Sequence, residues 1–311
     1  MTTLKFLLIL CVLSFIAGCA SLTKTQIESV NTYSCLLEKY SEYPGSIIEE
    51  FIQIKYEVEQ LNTGTFNDTA VNSKLWISYY GKKKALKDAE KIDIGIKVIA
   101  EYASALVKLS SKDLSTRVDK GSKKLGSNMD SLIKQYNLKS DKKIPTGIGK
   151  LVTSTVSFLG SSYVKQQQAS DLKKFIDEGD SLISMLTDAI KTELTKTVIN
   201  EWLIALKDDL KNRQVNFLQN IPHSEYKVYL ANFYNKEVAL LIARIDNLEQ
   251  LTKKTINSIE KIKKAHKQLL INIQEKNKIK DVLSETLNLY LSVKDIYTNY
   301  QKLTTTHSST K

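Results

Sequence analysis

Histidines, cysteines and facing carboxylates do most of the acid–base, metal and nucleophile chemistry of proteins, and this chain of 311 residues has only three histidines and three cysteines. None of His223, His266 and His307 has a glutamate three positions before it. The Glu-x-x-His pairs of di-iron bundles are therefore missing, as is the His-Glu-x-x-His spacing of helical zinc sites. His266 falls on an apolar seam and reads as a satisfied boundary residue, while His307 sits in a polar tail. No Gly-x-Ser-x-Gly elbow is present, so a nucleophile would have no obvious base. Adjacent carboxylates such as Glu49 and Glu50 project in different directions from a helix and read as a solvated face. Gly149-Lys150 has the ending of a phosphate loop, but Ile144 stands where its first glycine belongs and Leu151 where its Ser/Thr belongs. The expectation is a protein that is not an enzyme and needs neither metal nor cofactor.

One cysteine has a chemical context. Lys5 precedes Phe6 to Ala17, twelve residues without charge. That run is too short for a helix to cross a ~30 Å hydrocarbon core, but it suits the apolar region of a secretory signal peptide. It ends in Ile16-Ala17-Gly18-Cys19, an aliphatic residue, two small ones and a thiol, which resembles the lipobox of bacterial lipoproteins. The resemblance covers the targeting segment alone. It implies a diacylglycerol thioether on Cys19, cleavage before it, and an amide-linked acyl chain such as palmitate on the new terminus. In a Gram-negative cell, Ala20 in place of an aspartate favours the outer membrane, and the lack of an acidic cluster after Cys19 favours the periplasmic face. Ordinary secretion with cleavage after Ala20 is the alternative.

Cleavage before Cys19 would leave 293 residues, enough for one or two domains. Cys35 is then the one unmodified thiol, so no intramolecular disulfide is expected. The formal charge of +11 is uneven: residues 251–311 hold twelve Lys/Arg against five Asp/Glu, and residues 253–280 hold nine lysines against two glutamates. In a cytosolic protein that would suggest nucleic acid; for an exported one the candidate partners are anionic lipid, lipopolysaccharide or an acidic protein, and not nucleic acid. Lys253, Lys254, Lys261, Lys263, Lys264 and Lys267 are the candidate contacts, against the alternative of a merely solvated face.

With eleven glycines and three prolines in the whole chain, many short strands are hard to place. Helical spacing is abundant instead. Ile27, Val30, Tyr33, Leu36, Leu37 and Tyr40 form one face, with Cys35 opposite, free to cross-link two copies or to stay unpaired. Ser46 and Glu49 read as a capping box before Ile48, Phe51, Ile54, Val58 and Leu61. Ile92 to Leu109 carries the next stripe, and Leu114, Val118, Gly121, Leu125, Met129, Leu132 and Tyr136 alternate by four and three as a heptad. Residues 138–146 read as a polar linker. The uncharged stretch 151–164 has a small-residue face at Thr153, Ser157, Gly160, Ser161 and Val164, suited to close packing between helices or to conditional membrane insertion.

Leu172, Ile176, Gly179, Ile183, Leu186, Ile190 and Leu194, continued by Val198, Trp202, Leu206 and Leu210, predict one helix over most of 168–216, broken near Pro222. After a cap at Ser224, the aromatic cluster Tyr226, Tyr229, Phe233 and Tyr234 is expected in the core. A seam through Ile259, Ile262, His266, Leu269 and Ile273 lapses over 275–280, as a turn or an exposed stretch, and resumes at Leu283, Leu287, Tyr290 and Tyr297.

The prediction is an all-α, elongated, mainly antiparallel bundle over residues 19–303, with residues 1–18 removed and 304–311 disordered. Its expected role is a lipid-anchored binding, scaffolding or assembly module, with a protein partner or self-association through helical faces. The alternative is a membrane-active protein using 147–164 as its insertion element, for which long helical cytolysins are an architectural analogy only.

Overall fold

The computed structural model of the chain describes residues 23–41, 44–61, 90–110, 114–140, 143–144, 146–147, 149–150, 165–220, 227–274, 284–285, 287–296 and 298–299. Expectations for Cys19, for 151–164, for 275–280, for the terminal tail and for the side chains of Leu114, Val118 and Gly121 lie outside these residues. The described residues are helical rods with no strand among them, an all-α bundle. They comprise α1 (Lys24–Tyr40), α2 (Pro44–Gln60), α3 (residues 90–110), α4 (Leu114–Lys139), α5 (Lys165–Glu193), a π-helical segment (Leu194–Leu203), α6 (Ile204–Asn220) and α7 (Lys227–Gln274). A further helix, α8, includes residues 287–296.

α1, α2, α5, the π-helical segment and α6 all pack against α7, whose 48 residues give a rod of roughly 72 Å. α5, the π segment and α6 form a second continuous rod antiparallel to it. Asp180 meets His266, Lys191 meets Glu260, Lys207 meets Glu249 and Gln214 meets Asn235, so the pairing descends in register from one end to the other. α1 and α2 follow one another down a different side of α7. Gln26 Nε2 donates to the Asn272 carbonyl at 3.1 Å, Tyr40 Oη to the Thr255 carbonyl at 3.1 Å, and Arg244 reaches Glu50 and Glu57. α8 lies along α7 through Ser258–Ser292, 2.5 Å, and Lys254–Asp295.

The local reasons are readable. Thr23 opens α1 with a reciprocal capping box: its Oγ1 accepts from the Gln26 amide at 3.2 Å, and Gln26 Oε1 accepts from the Thr23 amide at 2.9 Å. α2 starts at Pro44, two residues before the expected Ser46 cap, because a proline can occupy the first turn, where an amide has no helical partner. The π segment has a reason in spacing. Buried apolar positions run 190, 194, 198, 203, 206, 210, and the five-residue step from Val198 to Leu203 exceeds one α-turn. Wider i to i+5 bonding takes up the extra residue and keeps the stripe facing α7. Leu203, not Trp202, is therefore the buried position; Trp202 is partly buried and stacks on Phe51 at 4.7 Å.

Three further expectations need correction. The linker at 138–146 is not merely polar: Ile144 is buried, held by Asn137, whose side chain donates to its carbonyl and accepts from its amide. In α8 the buried stripe is Leu289, Val293 and Ile296, while Leu287 and Tyr290 are exposed. Two apolar stripes share that helix, and the Ser258–Ser292 bond fixes which one faces α7. In the aromatic cluster Tyr234 is buried, stacked on Phe217 at 3.8 Å, but Tyr229 is 68% and Phe233 54% exposed; Tyr226 and the expected cap at Ser224 lie outside the described residues. Among the described residues, α1 and α2 pair with α7 between Asn272 and Arg244, short of these two positions.

Candidate functional site: a lysine-edged groove above a buried histidine

From Lys253 to Lys267 α7 is packed on several sides, so only a narrow stripe of this part meets water, running through Lys253, Asn257, Glu260, Lys264 and Lys267. Lys254, Lys261 and Lys263 are half-buried at the edges of that stripe. Three of the six candidate lysines are engaged. Lys253 Nζ lies 2.5 Å from Glu249 one turn back, Lys254 2.9 Å from Asp295 of α8, and Lys263 2.7 Å from Asp188 of α5. Lys261, Lys264 and Lys267 have no ion pair among the described residues.

The fold also divides the six. Lys263, Lys264 and Lys267 converge with Lys191 of α5 on an open groove of about 410 Å³ between the two rods, floored by Thr187 and Ile259 and shared with Asp188 and Glu260. Lys254 and Lys261 line a smaller recess of about 280 Å³ on the α8 side, with Asn257, Leu291, Ser292 and Asp295. Lys253 belongs to neither. The Lys191–Glu260 hydrogen bond raises the pKa of the ammonium and lowers that of the carboxylate. The groove lining holds four lysines and two acids, a surplus of positive charge that can receive an anion but offers no acid–base pair.

Beneath it, His266 is fully buried, a correction to its reading as a boundary residue. Its Nδ1 is 3.0 Å from Asp180 Oδ1 and its Nε2 2.7 Å from Tyr102 Oη. An ionised carboxylate can only accept, so Nδ1 carries a proton; in the neutral imidazole Nε2 then accepts from the Tyr102 hydroxyl. The Tyr33 ring sits 5.8 Å from the imidazole and the Phe175 ring stacks on Tyr102 at 5.0 Å. The hydrogen bond from His266 lowers the pKa of the Asp180 carboxyl. Burial pushes both the Tyr102 and Tyr33 phenols well above their ordinary value.

The order Asp–His–hydroxyl is that of a nucleophile triad, but here it is turned inward. Tyr102 has no exposed surface, and it packs so closely on Gly179 that a Cβ there would fall 2.4 Å from its ring. Only Asp180 opens to water, with its side chain 43% exposed. The chain can orient three helices against one another; it cannot present a nucleophile. Sequence reasoning missed it because Tyr102 and Asp180 are 164 and 86 residues from His266. The one legible signal was Gly179, a seam glycine beside an acid.

Gly149, at the rejected phosphate loop, donates its amide to Asp130 Oδ1 at 3.0 Å. Among the described residues no cluster of three or more His, Cys, Asp or Glu could hold a metal, and no helix is long and apolar enough to cross a membrane. Cys35 is exposed, as its position on the helix predicts. No family model matches the chain, and neither does any curated protein or solved structure.

Proposed function

We propose that this is a non-enzymatic, lipid-anchored envelope protein, tethered through an acylated Cys19, that acts as a binding, scaffolding or assembly module. The observation that carries the reading is the geometry of the N-terminus. The capped start of α1 at Thr23 is four residues from Cys19 and lies beside Asn272, at one end of the long axis. A tether there would leave at most about 15 Å of extended chain between lipid and folded body and would hold a rod of roughly 70 Å by its end. Two or more acyl chains make such an anchor effectively permanent.

The outer membrane, with the body facing the periplasm, is the proposed setting. The side of α7 bearing Lys264 and Lys267 is the proposed contact for an acidic protein partner or an anionic lipid or lipopolysaccharide headgroup. Cross-linking in intact cells, followed by purification through a C-terminal tag, tests the assembly role. A specific co-purifying envelope protein, lost on changing Lys264 and Lys267 to Gln, supports it. Recovery of self-cross-linked chain alone would replace it with self-association. The insertion reading for 147–164 falls almost wholly outside the described residues and gains no support from the rest; its test is dye release from liposomes, abolished by charge at Val156 and Leu159.

A further inference from the structure

His266 is fully buried where four helices meet, and each of its ring nitrogens is held by a different one. α7 supplies the imidazole, Asp180 of α5 accepts from Nδ1 at 3.0 Å, and Tyr102 Oη of α3 lies 2.7 Å from Nε2. Tyr33 of α1 sets its ring 5.8 Å from the imidazole and donates its own hydroxyl to the Ile262 carbonyl, one turn back on α7, at 3.4 Å. The contact of Tyr102 with Gly179 closes α3 on α5 at the same level.

The joint is complete for a neutral ring. A neutral imidazole offers one N–H and one lone pair, and here it faces a carboxylate that accepts and a phenol that donates. A second proton turns Nε2 into a donor aimed at the Tyr102 oxygen. The phenol proton is then pushed aside from its acceptor, on a side chain with no exposed surface, and a buried donor without an acceptor is costly.

The surrounding charges divide unequally. Among the described residues the polar and titratable groups that face the ring are Tyr33 from α1, Tyr102 from α3 and Asp180 from α5, with Lys263 and Lys267 of α7 acting on the Asp180 carboxylate. Burial and the two lysines oppose an imidazolium. Asp180 alone favours it, and with its side chain 43% exposed its charge is partly screened by water. We infer that the His266 joint is an acid-released latch: protonation of the imidazole opens the seat of Tyr102 on Gly179, so that α3 parts locally from α5 and α7.

The opening is local. Farther along the rod, Lys191 with Glu260 and Lys207 with Glu249 hold the second rod to α7 without any histidine. Histidine is the side chain whose ordinary titration lies nearest neutral pH, so the latch responds before those carboxylates take up protons. It does not depend on the Cys19 tether.

Amide hydrogen exchange on the full chain from pH 7.5 to 5.5, corrected for the intrinsic pH dependence of exchange, tests the latch. The expected result is a loss of protection confined to segments 99–106 and 176–183 around Tyr102 and Gly179, by up to about tenfold per pH unit for one proton, with 227–248 unchanged. Two variants should move the slope in opposite directions. Asp180→Asn keeps an acceptor for Nδ1 but removes the charge that favours the imidazolium, and should steepen the loss over this range. Tyr102→Phe keeps the ring against Phe175 but removes the hydroxyl that demands a neutral imidazole, and should flatten it. A joint that only holds helices together would be weakened by both at every pH, with no change of slope, and that result overturns the inference. Unchanged protection of both segments in the wild type down to pH 5.5 overturns it as well.

Discussion

Gly179 and His266 show how much one residue can decide in this bundle. Alanine is the better helix former by roughly 1 kcal/mol, yet Gly179→Ala places a methyl carbon 2.4 Å from the Tyr102 ring, which is fully buried and stacked on Phe175. The steric term should win, and a net loss of about 1–3 kcal/mol, read as a lower urea midpoint, is the expected outcome. For His266→Ala the lost packing and the orphaned Tyr102 hydroxyl should together cost about 3–5 kcal/mol.

The titrations of the same group set both edges of the pH profile. The folded-state pKa of Asp180 is lowered, chiefly by its hydrogen bond from His266. Its contribution is therefore present above the unfolded carboxylate value near ~4 and is lost as pH falls through the folded one. Asp180→Asn should flatten the acid limb of stability against pH, by a modest amount because the side chain is 43% exposed. At the alkaline edge, Tyr102 and Tyr33 are held protonated in the folded state. The unfolded chain ionises first, so stability should fall as pH rises past about 10. Urea midpoints measured from pH 3 to 11 check both limbs.

At the scale of elements, the apolar spacing was legible wherever one stripe had one partner. Leu172 to Leu194, with its alternating steps of three and four, is buried throughout. The five-residue step at 198–203 was legible only as an irregularity, because periodicity records that a stripe drifts and not how the backbone compensates. In α8 two stripes competed, and the deciding contact, Ser258 with Ser292, is polar and crosses 34 residues. Glu50 was read as solvated, but its side chain is 14% exposed and shares Arg244, 8% exposed, with Glu57 seven residues on. A pattern built from apolar residues does not register such a clamp. Removing Arg244 would leave two half-buried carboxylates facing each other, so Arg244→Ala should cost about 3–5 kcal/mol. A much milder Arg244→Lys, read by the same denaturant midpoint, would contradict the role of the planar guanidinium, whose Nη2 lies 2.8 Å from Glu50 and whose Nη1 binds Glu57.

On the scale of the whole molecule, the all-α bundle followed from sparse glycine and proline and from helical spacing, but the unequal lengths of its rods did not. Residues 227–238 look as suited to a core as residues 245–273, since both alternate apolar and polar side chains at helical spacing. What separates them is that α1 and α2 run alongside α7 only from Gln26 near Asn272 to Glu57 near Arg244. Beyond that reach Tyr234 still stacks on Phe217 of α6, whereas Tyr229 and Phe233 are exposed. The lysine stripe was divided by the same global geometry: α5 claims Lys263, α8 claims Lys254, and Lys264 and Lys267 are left to solvent. Along α7 the described residues thus place the capped start of α1 near Asn272, a cationic groove beside Lys264 and Lys267, and exposed apolar side chains at Tyr229 and Phe233. The proposed tether gives that asymmetry a direction.

Mass spectrometry of the N-terminal peptide of the protein isolated from cell envelopes tests this account most directly. The account predicts a peptide that begins at Cys19 and carries a diacylglycerol thioether with an amide-linked acyl chain, absent from Cys19→Ser. An unmodified N-terminus at Ser21 would contradict it, leaving a freely diffusing rod and no fixed direction for either of its ends.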